Sequence, residues 1–375
     1  MNQTSEDESP FNPDESYGIQ FLAKELAKKL DLADMTPDVE NITLGCKGIR
    51  HVEPDECNRT SLGKSCLQPI LPADYETRIK QLAFKDNLQI DDQYTAVIKS
   101  FTDQINGSYD VIIVSAVSSN HFKESQALLN SLHTGVFPLL TDYLLVVFDI
   151  GLSVEEKIQY KKYCRCIVID FLFEKFPPHF KSLKCFAWKP IAVSAVYPKA
   201  NVVIWADASV RFVLPEAIPA MVSKTKRQGV AIRCNPKYFA NPYYTLKQMF
   251  QYFGDSPCAH LPFVEVEMAF GMFHREPLVK KTILDPWVGC ALNAACTCPV
   301  PQHTVQFCPP RIQPPRFGYC MRLRGFCVYE ASVFTGLRGF CVYRFTRLLC
   351  LQVYEASVFS VDEASVFTGL RGFCV

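Results

Sequence analysis

Residues 110–120 read Asp110-Val111-Ile112-Ile113-Val114-Ser115-Ala116-Val117-Ser118-Ser119-Asn120. Val111 to Val114 is a short unbroken apolar run, the pattern of a strand buried on both faces, and Ser115 to Asn120 reads as a small, polar loop. A strand of that kind belongs to a parallel sheet with helices on each side. The next residues keep the rhythm. A helix is expected from about His121 to His133, with Phe122, Ala127, Leu128, Leu129 and Leu132 as its apolar positions, and then a strand from Tyr143 to Phe148 closed by Asp149-Ile150-Gly151. Ser153-x-x-Glu156 has capping-box spacing and opens a helix that reaches Tyr163. A third strand from Cys166 to Asp170, a helix near Lys189 to Val196 and a fourth strand from Asn201 to Trp205 follow, the last carrying Asp207-Ala208-Ser209 at its carboxyl end.

Strands alternating with helices imply parallel pairing through right-handed crossovers. Ligands of open α/β sheets sit beyond the carboxyl ends of the strands, so Ser115 to Asn120, Asp149 and Asp207 should converge on one crevice. A strand near Gly229 to Arg233, a helix near Tyr244 to Phe253 and the stretch Val264 to Phe273 complete the second half.

The two ends of the chain read differently. Residues 1–107 have the character of a stem or lead-in, partly disordered, acidic and proline-dotted at the start, with one amphipathic helix in which Ile19, Leu22, Leu26 and Leu30 share a face. Cys46, Cys57 and Cys66 lie in loop-like sequence and suit disulfides better than a metal. Beyond the domain expected over 108–310, residues 311–375 repeat themselves word for word. Glu330 to Val342 recurs as Glu363 to Val375, and shorter copies lie between at irregular spacing. A solenoid needs a fixed period so that equivalent faces stack; this tail is therefore expected to be disordered or a gene-model artefact.

With 375 residues and 49% hydrophobic content the chain can build one large core. Lys and Arg number 39 against 38 Asp and Glu, so no global field recruits nucleic acid, and no stretch reaches the roughly 18 apolar residues of a membrane helix. The 17 cysteines and the N-x-S/T sequons at Asn2, Asn41, Asn58 and Asn106 suit the secretory pathway, Golgi lumen or secreted. Against that stands the polar, acidic start, which has no signal or anchor and makes the cytoplasm the rival location.

Three constellations carry chemistry. Asp207 and Ser209 place two hard oxygen ligands at a strand end, where they can reach a Mg or Mn ion on a diphosphate; the plain alternative is that Asp207 caps a turn. Lys189 and Arg211, with Lys181 and Lys184 nearby, could clamp a diphosphate, or form a solvated charged face. In Val264-Glu265-Val266-Glu267-Met268 the alternation puts the two carboxylates on one face, where Glu267 could take a proton from an acceptor hydroxyl, or simply face water on an edge strand. Cys290, Cys296, Cys298 and Cys308 with His303 are better read as disulfide partners than as a zinc cluster, since Cys-x-Cys is not the usual knuckle spacing.

Taken in order, Ser115 to His121, Val147 to Ser153, Phe186 to Pro190, Trp205 to Phe212 and Pro286 to Leu292 resemble a largely uncharacterised metazoan domain family, itself distantly similar to GT-A nucleotide-diphospho-sugar transferases. The resemblance implies a GT-A-like, Rossmann-type, mostly parallel α/β sheet flanked by helices. It implies a glycosyltransferase using a nucleotide sugar and a glycan or protein acceptor, the alternative being a non-catalytic lumenal or secreted binding protein on the same fold. By the same resemblance Ser115, Ser118, Asn120 and Asp149 would contact the nucleoside, Lys189 and Arg211 the phosphates, Asp207 and Ser209 the metal or sugar, and Glu267 the acceptor. Mn or Mg is the implied cofactor. A hydroxyl at Ser209 stands where the second carboxylate of D-x-D would be, which weakens the hold on such an ion.

Overall fold

Among the described residues six strands form one sheet in the order β3-β2-β1-β4-β6-β5. They are β1 (Tyr109–Val117), β2 (Tyr143–Asp149), β3 (Ile167–Asp170), β4 (Ala200–Ala206), β5 (Val230–Cys234) and β6 (Val266–His274). These come from a computed structural model that describes residues 17–32, 75–234, 247–254 and 266–299. The tail at 311–375, residues 33–74 with Cys46, Cys57 and Cys66, and His303 and Cys308 lie outside the described residues. The first four strands pair in parallel, as the alternation of strand and helix requires. The second half departs from that rule, because β6 runs antiparallel to both β4 and β5.

The order of strands fixes where a ligand can lie. The chain steps outward from β1 to β2 to β3, then returns to lay β4 on the other side of β1. Crossovers on the two sides of β1 therefore diverge at the carboxyl ends of β1 and β4, the place where open α/β sheets form a ligand crevice.

Helices cover both faces. The longer ones are α1 (Ile19–Leu32), α2 (Tyr75–Ala83), α3 (Asp92–Thr102), α4 (Phe122–Ser131), α5 (Val154–Tyr163), α6 (Trp188–Val196), α7 (Ile218–Gln228), α8 (Lys247–Phe253) and α9 (Asp285–Leu292). On β1, Ile112, Val114 and Ala116 join one core with Phe101, Ile191, Ala195, Trp287 and Val288, while Val111, Ile113 and Val117 join the other with Leu128, Tyr160, Ile218 and Val222. The strict alternation along β1 is the period-two geometry of a strand with apolar cover on each side. Helix α6 is apolar nearly all round and buried almost throughout, which places it inside the first core rather than over it. Helix α5 begins with the expected capping box, the Ser153 hydroxyl accepting from Glu156 N while the Glu156 carboxylate accepts from Ser153 N.

The segment ahead of Ser108 supplies part of the core. In α1, Leu22 and Leu26 are buried, and Lys29 forms an ion pair with Glu276 at 2.9 Å. Helices α2 and α3, which periodicity did not reveal, bury Ile79, Leu82, Ile98 and Phe101 in the core beneath the sheet. The Thr102 hydroxyl, at the end of α3, donates to the Ala195 carbonyl in α6 at 2.7 Å. Gly289 in α9 permits a close approach of the turn after α2: a Cβ there would lie 2.1 Å from the Leu88 carbonyl oxygen.

Among the described residues three cystine bridges join Cys164 to Cys166, Cys185 to Cys298 and Cys290 to Cys296. Cys290, Cys296 and Cys298 thus pair as disulfides. Among the described residues no helix is long and apolar enough to cross a membrane. Asn106, in the sequon ahead of β1, is exposed.

Candidate functional site

The crevice is built from the loops that leave β1, β2 and β4. Strand β1 runs three residues farther than its apolar run suggests, to Val117, because Ala116 and Val117 stay buried between the helix layers. That extension moves Ser115 out of the expected loop. It lies within the strand, paired in register with Val147 and 1% exposed, and its hydroxyl finds no hydrogen-bond partner among the described residues. Ser118 is the first residue past the strand; its side chain is buried and donates to the Asn120 side-chain oxygen, while Asn120 itself is exposed.

The loop after β2 is stitched to this one. Asp149 Oδ1 accepts from the backbone N–H groups of Gly151 and Leu152 at 2.9 and 2.8 Å, closing a tight turn. Gly151 sits at φ 129°, a conformation that favours glycine, and a Cβ there would come within 3.7 Å of Ser118 Cβ. Between the loops stands Ser119. Its backbone N–H donates to the Gly151 carbonyl at 2.9 Å, its hydroxyl accepts from Ser153 N at 3.0 Å, and it donates to the Glu156 carboxylate. Those bonds hold the Glu156 carboxyl below its ordinary range, the Ser119 hydroxyl being the main cause. Lys157 pairs with Asp170 and lies 3.4 Å from Asp149 Oδ2, so the ends of β2 and β3 share one cation. Its pKa is raised, chiefly by Asp170.

Across the switch point lies Asp207. Its backbone N–H donates to the Ala269 carbonyl at 2.8 Å, extending the ladder to β6 past the end of β4, and its own carbonyl accepts from Val210 N at 2.9 Å. The side chain is held from below. Oδ1 accepts from Lys189 Nζ at 2.8 Å and from Trp205 Nε1 at 2.7 Å. No partner of Oδ2 is found among the described residues, and the side chain is 29% exposed. Lys189 is buried, its ammonium also donating to the Met268 carbonyl at 2.7 Å and lying 5.0 Å from the centroid of the Trp205 ring. A cation so enclosed is stabilised by the carboxylate, the carbonyl and the ring faces together.

The structure therefore brings Ser118, Asn120 and Asp149 to the carboxyl ends of β1 and β2, and Asp207 to that of β4. Ser209 is exposed in the turn that follows. Arg211 is committed elsewhere: its guanidinium donates to the carbonyls of Ala208, Val210 and Glu124 at 2.8, 2.8 and 2.7 Å, pinning the turn after β4 against α4. Burial lowers its pKa, against the opposing pull of Glu124. Glu267 lies in β6 with its backbone paired to Arg233, next to an irregularity in the ladder, and its side chain falls outside the described residues. Ser119 and Trp205 are the residues that sequence reasoning passed over. Ser119 had a signal, since Ser118-Ser119 and Ser153-x-x-Glu156 both open helices beside the same strand ends; the indole bond of Trp205 to Asp207 had none.

The donors present do not fit a divalent cation well. Asp207 has one carboxylate oxygen taken by an ammonium and an indole, and Ser209 adds only a hydroxyl, where Mg or Mn favours a carboxylate set. Among the described residues no group of three His, Cys, Asp or Glu is arranged to hold a metal.

Residues 78–194 match a family described as protein of unknown function (DUF1647). The matched span contains β1 to β3 and Lys189 and stops short of Asp207. One similar solved structure is that of the WbbM bifunctional glycosyltransferase in its apo form, at 12% identity and a TM-score of 0.34. The similarity covers 48% of this chain and 34% of that one, about a third of its length. No curated protein matches the chain.

Proposed function

We propose that the chain binds a nucleotide-diphosphate sugar across the carboxyl ends of β1 and β4 and transfers the sugar to a glycan or protein hydroxyl. The observation that carries this reading is Asp207, fixed at the topological switch point through one oxygen by Lys189 and Trp205 while its other oxygen is left for a ligand. A carboxylate locked in this way accepts hydrogen bonds from sugar hydroxyls without further ordering of its side chain. In the proposed transfer the bond from the anomeric carbon to the diphosphate oxygen breaks and a bond to the acceptor oxygen forms. The acceptor proton passes to a carboxylate, for which Glu267 is the candidate. Ser118 and Asn120, with the Asp149 turn, form the wall against which the nucleoside would lie. Asp207 and Ser209 are the candidate metal residues only if Mn or Mg displaces the ammonium from its role, and no step depends on that.

One observation favours a second reading, a lumenal or secreted binding protein that keeps the fold without catalysis. Asp207 is neutralised by Lys189 and stands without a second carboxylate at position 209, while Arg211 is bonded to backbone carbonyls.

Thermal unfolding of the full chain with a panel of nucleotide diphosphates and their sugars, with and without manganese, separates the readings, because a ligand bound only to the native state raises the midpoint by mass action. The expected result is a rise with at least one donor, lost in Asp207→Asn while the fold is kept, and sugar transfer by the wild type. Donor binding without transfer to any hydroxyl acceptor would favour the binding protein. Cooperative unfolding indifferent to every nucleotide would sink the proposal.

A further inference from the structure

Two cysteines of this chain are separated by one residue and bridged to each other. Cys164 is the C-cap of α5, Cys166 lies just before β3, and the bridge encloses Arg165 alone. Three features bear on how this pair opens, and the first sets it apart from the other two cystines among the described residues.

The first is loop size. A bridge stabilises a protein largely by restricting its unfolded chain, and the restriction grows with the length closed. Cys185–Cys298 spans a sequence separation of 113 and Cys290–Cys296 one of 6, whereas Cys164–Cys166 spans 2. Folding therefore protects this bridge least. The second is backbone conformation. Arg165 sits at φ 49°, the left-handed position after a helix end that glycine usually fills, and an L side chain there is strained. Phe186, beside Cys185, also has a positive φ of 54°, but Arg165 is the sole residue that the Cys164–Cys166 bridge encloses, so opening this ring lets its strain relax. The third is access. Cys164 is 1% exposed, packed in the core with Val111 and Tyr160, and its carbonyl accepts from His133 Nε2 at 2.9 Å. Cys166 is half-buried and flanked by exposed Arg165. Cys166 is thus the more accessible end of its bridge, as Cys298 is in its own pair, and the end at which a thiolate would attack.

We infer that Cys164–Cys166 is a thiol–disulfide exchange site, opened by attack of a dithiol at Cys166. The attacking thiolate forms a mixed disulfide with Cys166 and expels Cys164 as a thiolate, which takes a proton. The second thiol of the reductant then attacks its own sulfur in the mixed disulfide, releasing Cys166 as a thiolate that is protonated in turn. Two electrons and two protons pass from the dithiol to the protein, and the reductant leaves as its own disulfide. The site lies at the far end of α5 from Ser153 and Glu156, so it is separate from the crevice and does not depend on the proposed transfer.

The test uses the full, folded chain purified without reductant. Samples are equilibrated with increasing dithiothreitol, free thiols are trapped with an alkylating reagent, and each cysteine is read by peptide mass spectrometry. Cys164 and Cys166 are expected to become alkylated at a reductant concentration at least about tenfold below that needed for Cys185–Cys298 and Cys290–Cys296. Opening together with those pairs or after them, or alkylation of Cys164 and Cys166 before any reductant is added, would overturn the inference. A second arm tests the direction of attack with oxidised glutathione. Cys164→Ser is expected to take up one glutathione at Cys166, and Cys166→Ser none at Cys164; the reverse pattern overturns it.

Discussion

The Lys189 ammonium lies 2.8 Å from Asp207 Oδ1 and 2.7 Å from the Met268 carbonyl, so one buried cation joins α6 to the carboxyl end of β4 and to β6. The two partners are unequally sheltered, with side-chain exposures of 6% for Lys189 and 29% for Asp207. Removing the carboxylate strands the ammonium in the core, whereas removing the ammonium leaves a carboxylate that reaches water. Asp207→Ala should therefore cost about 3 kcal/mol and Lys189→Met only about 1 kcal/mol, with the double variant close to the second value. Urea unfolding of the four proteins measures the cycle. Equal losses in the two single variants would mean that the pair is solvated and does not set the local structure.

Gly289 makes a second prediction about packing. A methyl group at this position meets the Leu88 backbone, with the carbonyl carbon 2.6 Å away, and backbone cannot yield as a side-chain tip can. Gly289→Ala should destabilise the protein by about 2 kcal/mol through overpacking, read as a lowered urea midpoint at unchanged slope. The same contact bears on where the domain begins. Since Ile79, Leu82, Leu88, Ile98 and Phe101 are buried under the sheet, a chain that starts at Ser108 should lose cooperative unfolding, and one that starts ahead of α2 should keep more of it. Sharp thermal unfolding of the shorter chain would show that these helices are accessory.

How far the sequence foretold this arrangement depended on whether each element signals locally. Val111 to Val114 and Val203 to Trp205 are unbroken apolar runs, so the parallel core and its switch point were legible, as was the Ser153 capping box. The direction of β6 was not, because a strand's alternation is the same whether it pairs parallel or antiparallel. Helices α2 and α3 were hidden for a different reason. Their apolar residues, Ile79 and Leu82 in one and Ile98 and Phe101 in the other, are few in sequence rich in charge, and their place in the core comes from contacts with α6 and α9 far along the chain. Among candidate site residues, Asp207 and Asp149 were expected at strand ends, and the structure has both there. Lys189 was singled out as a phosphate clamp, but its bonds to Asp207 and Met268 are tertiary, and no spacing reports them.

Ser119 offers a test of the wall formed by the loops after β1 and β2. Its hydroxyl accepts from Ser153 N and donates to Glu156, so it links the first helical turn of α5 to the end of β1. Ser119→Ala should cost about 1 kcal/mol in stability and, if the nucleoside lies against this wall, weaken nucleotide binding by roughly fivefold or more as the loops separate. Thermal shift against nucleotide concentration reads both quantities in one experiment. A variant that loses stability while retaining full nucleotide affinity would place the ligand elsewhere.

His179 predicts how stability varies with pH. Burial lowers its pKa, opposed by its bond to the Ala291 carbonyl at 2.7 Å, so the folded protein holds the imidazole neutral to a lower pH than the unfolded chain does. The ordinary value of about 6.5 applies to the unfolded chain. Above that value neither state is protonated and His179 contributes no pH dependence. As pH falls through it, the unfolded chain binds a proton that the folded protein refuses, and stability is lost until the lowered folded value is reached. The urea midpoint should therefore decline on acidification from pH 7 to 5, and His179→Gln, which can still donate to Ala291, should show a shallower decline over that window. Identical slopes for the two proteins would mean that His179 is as well hydrated in the fold as outside it, and that other groups carry the acid sensitivity.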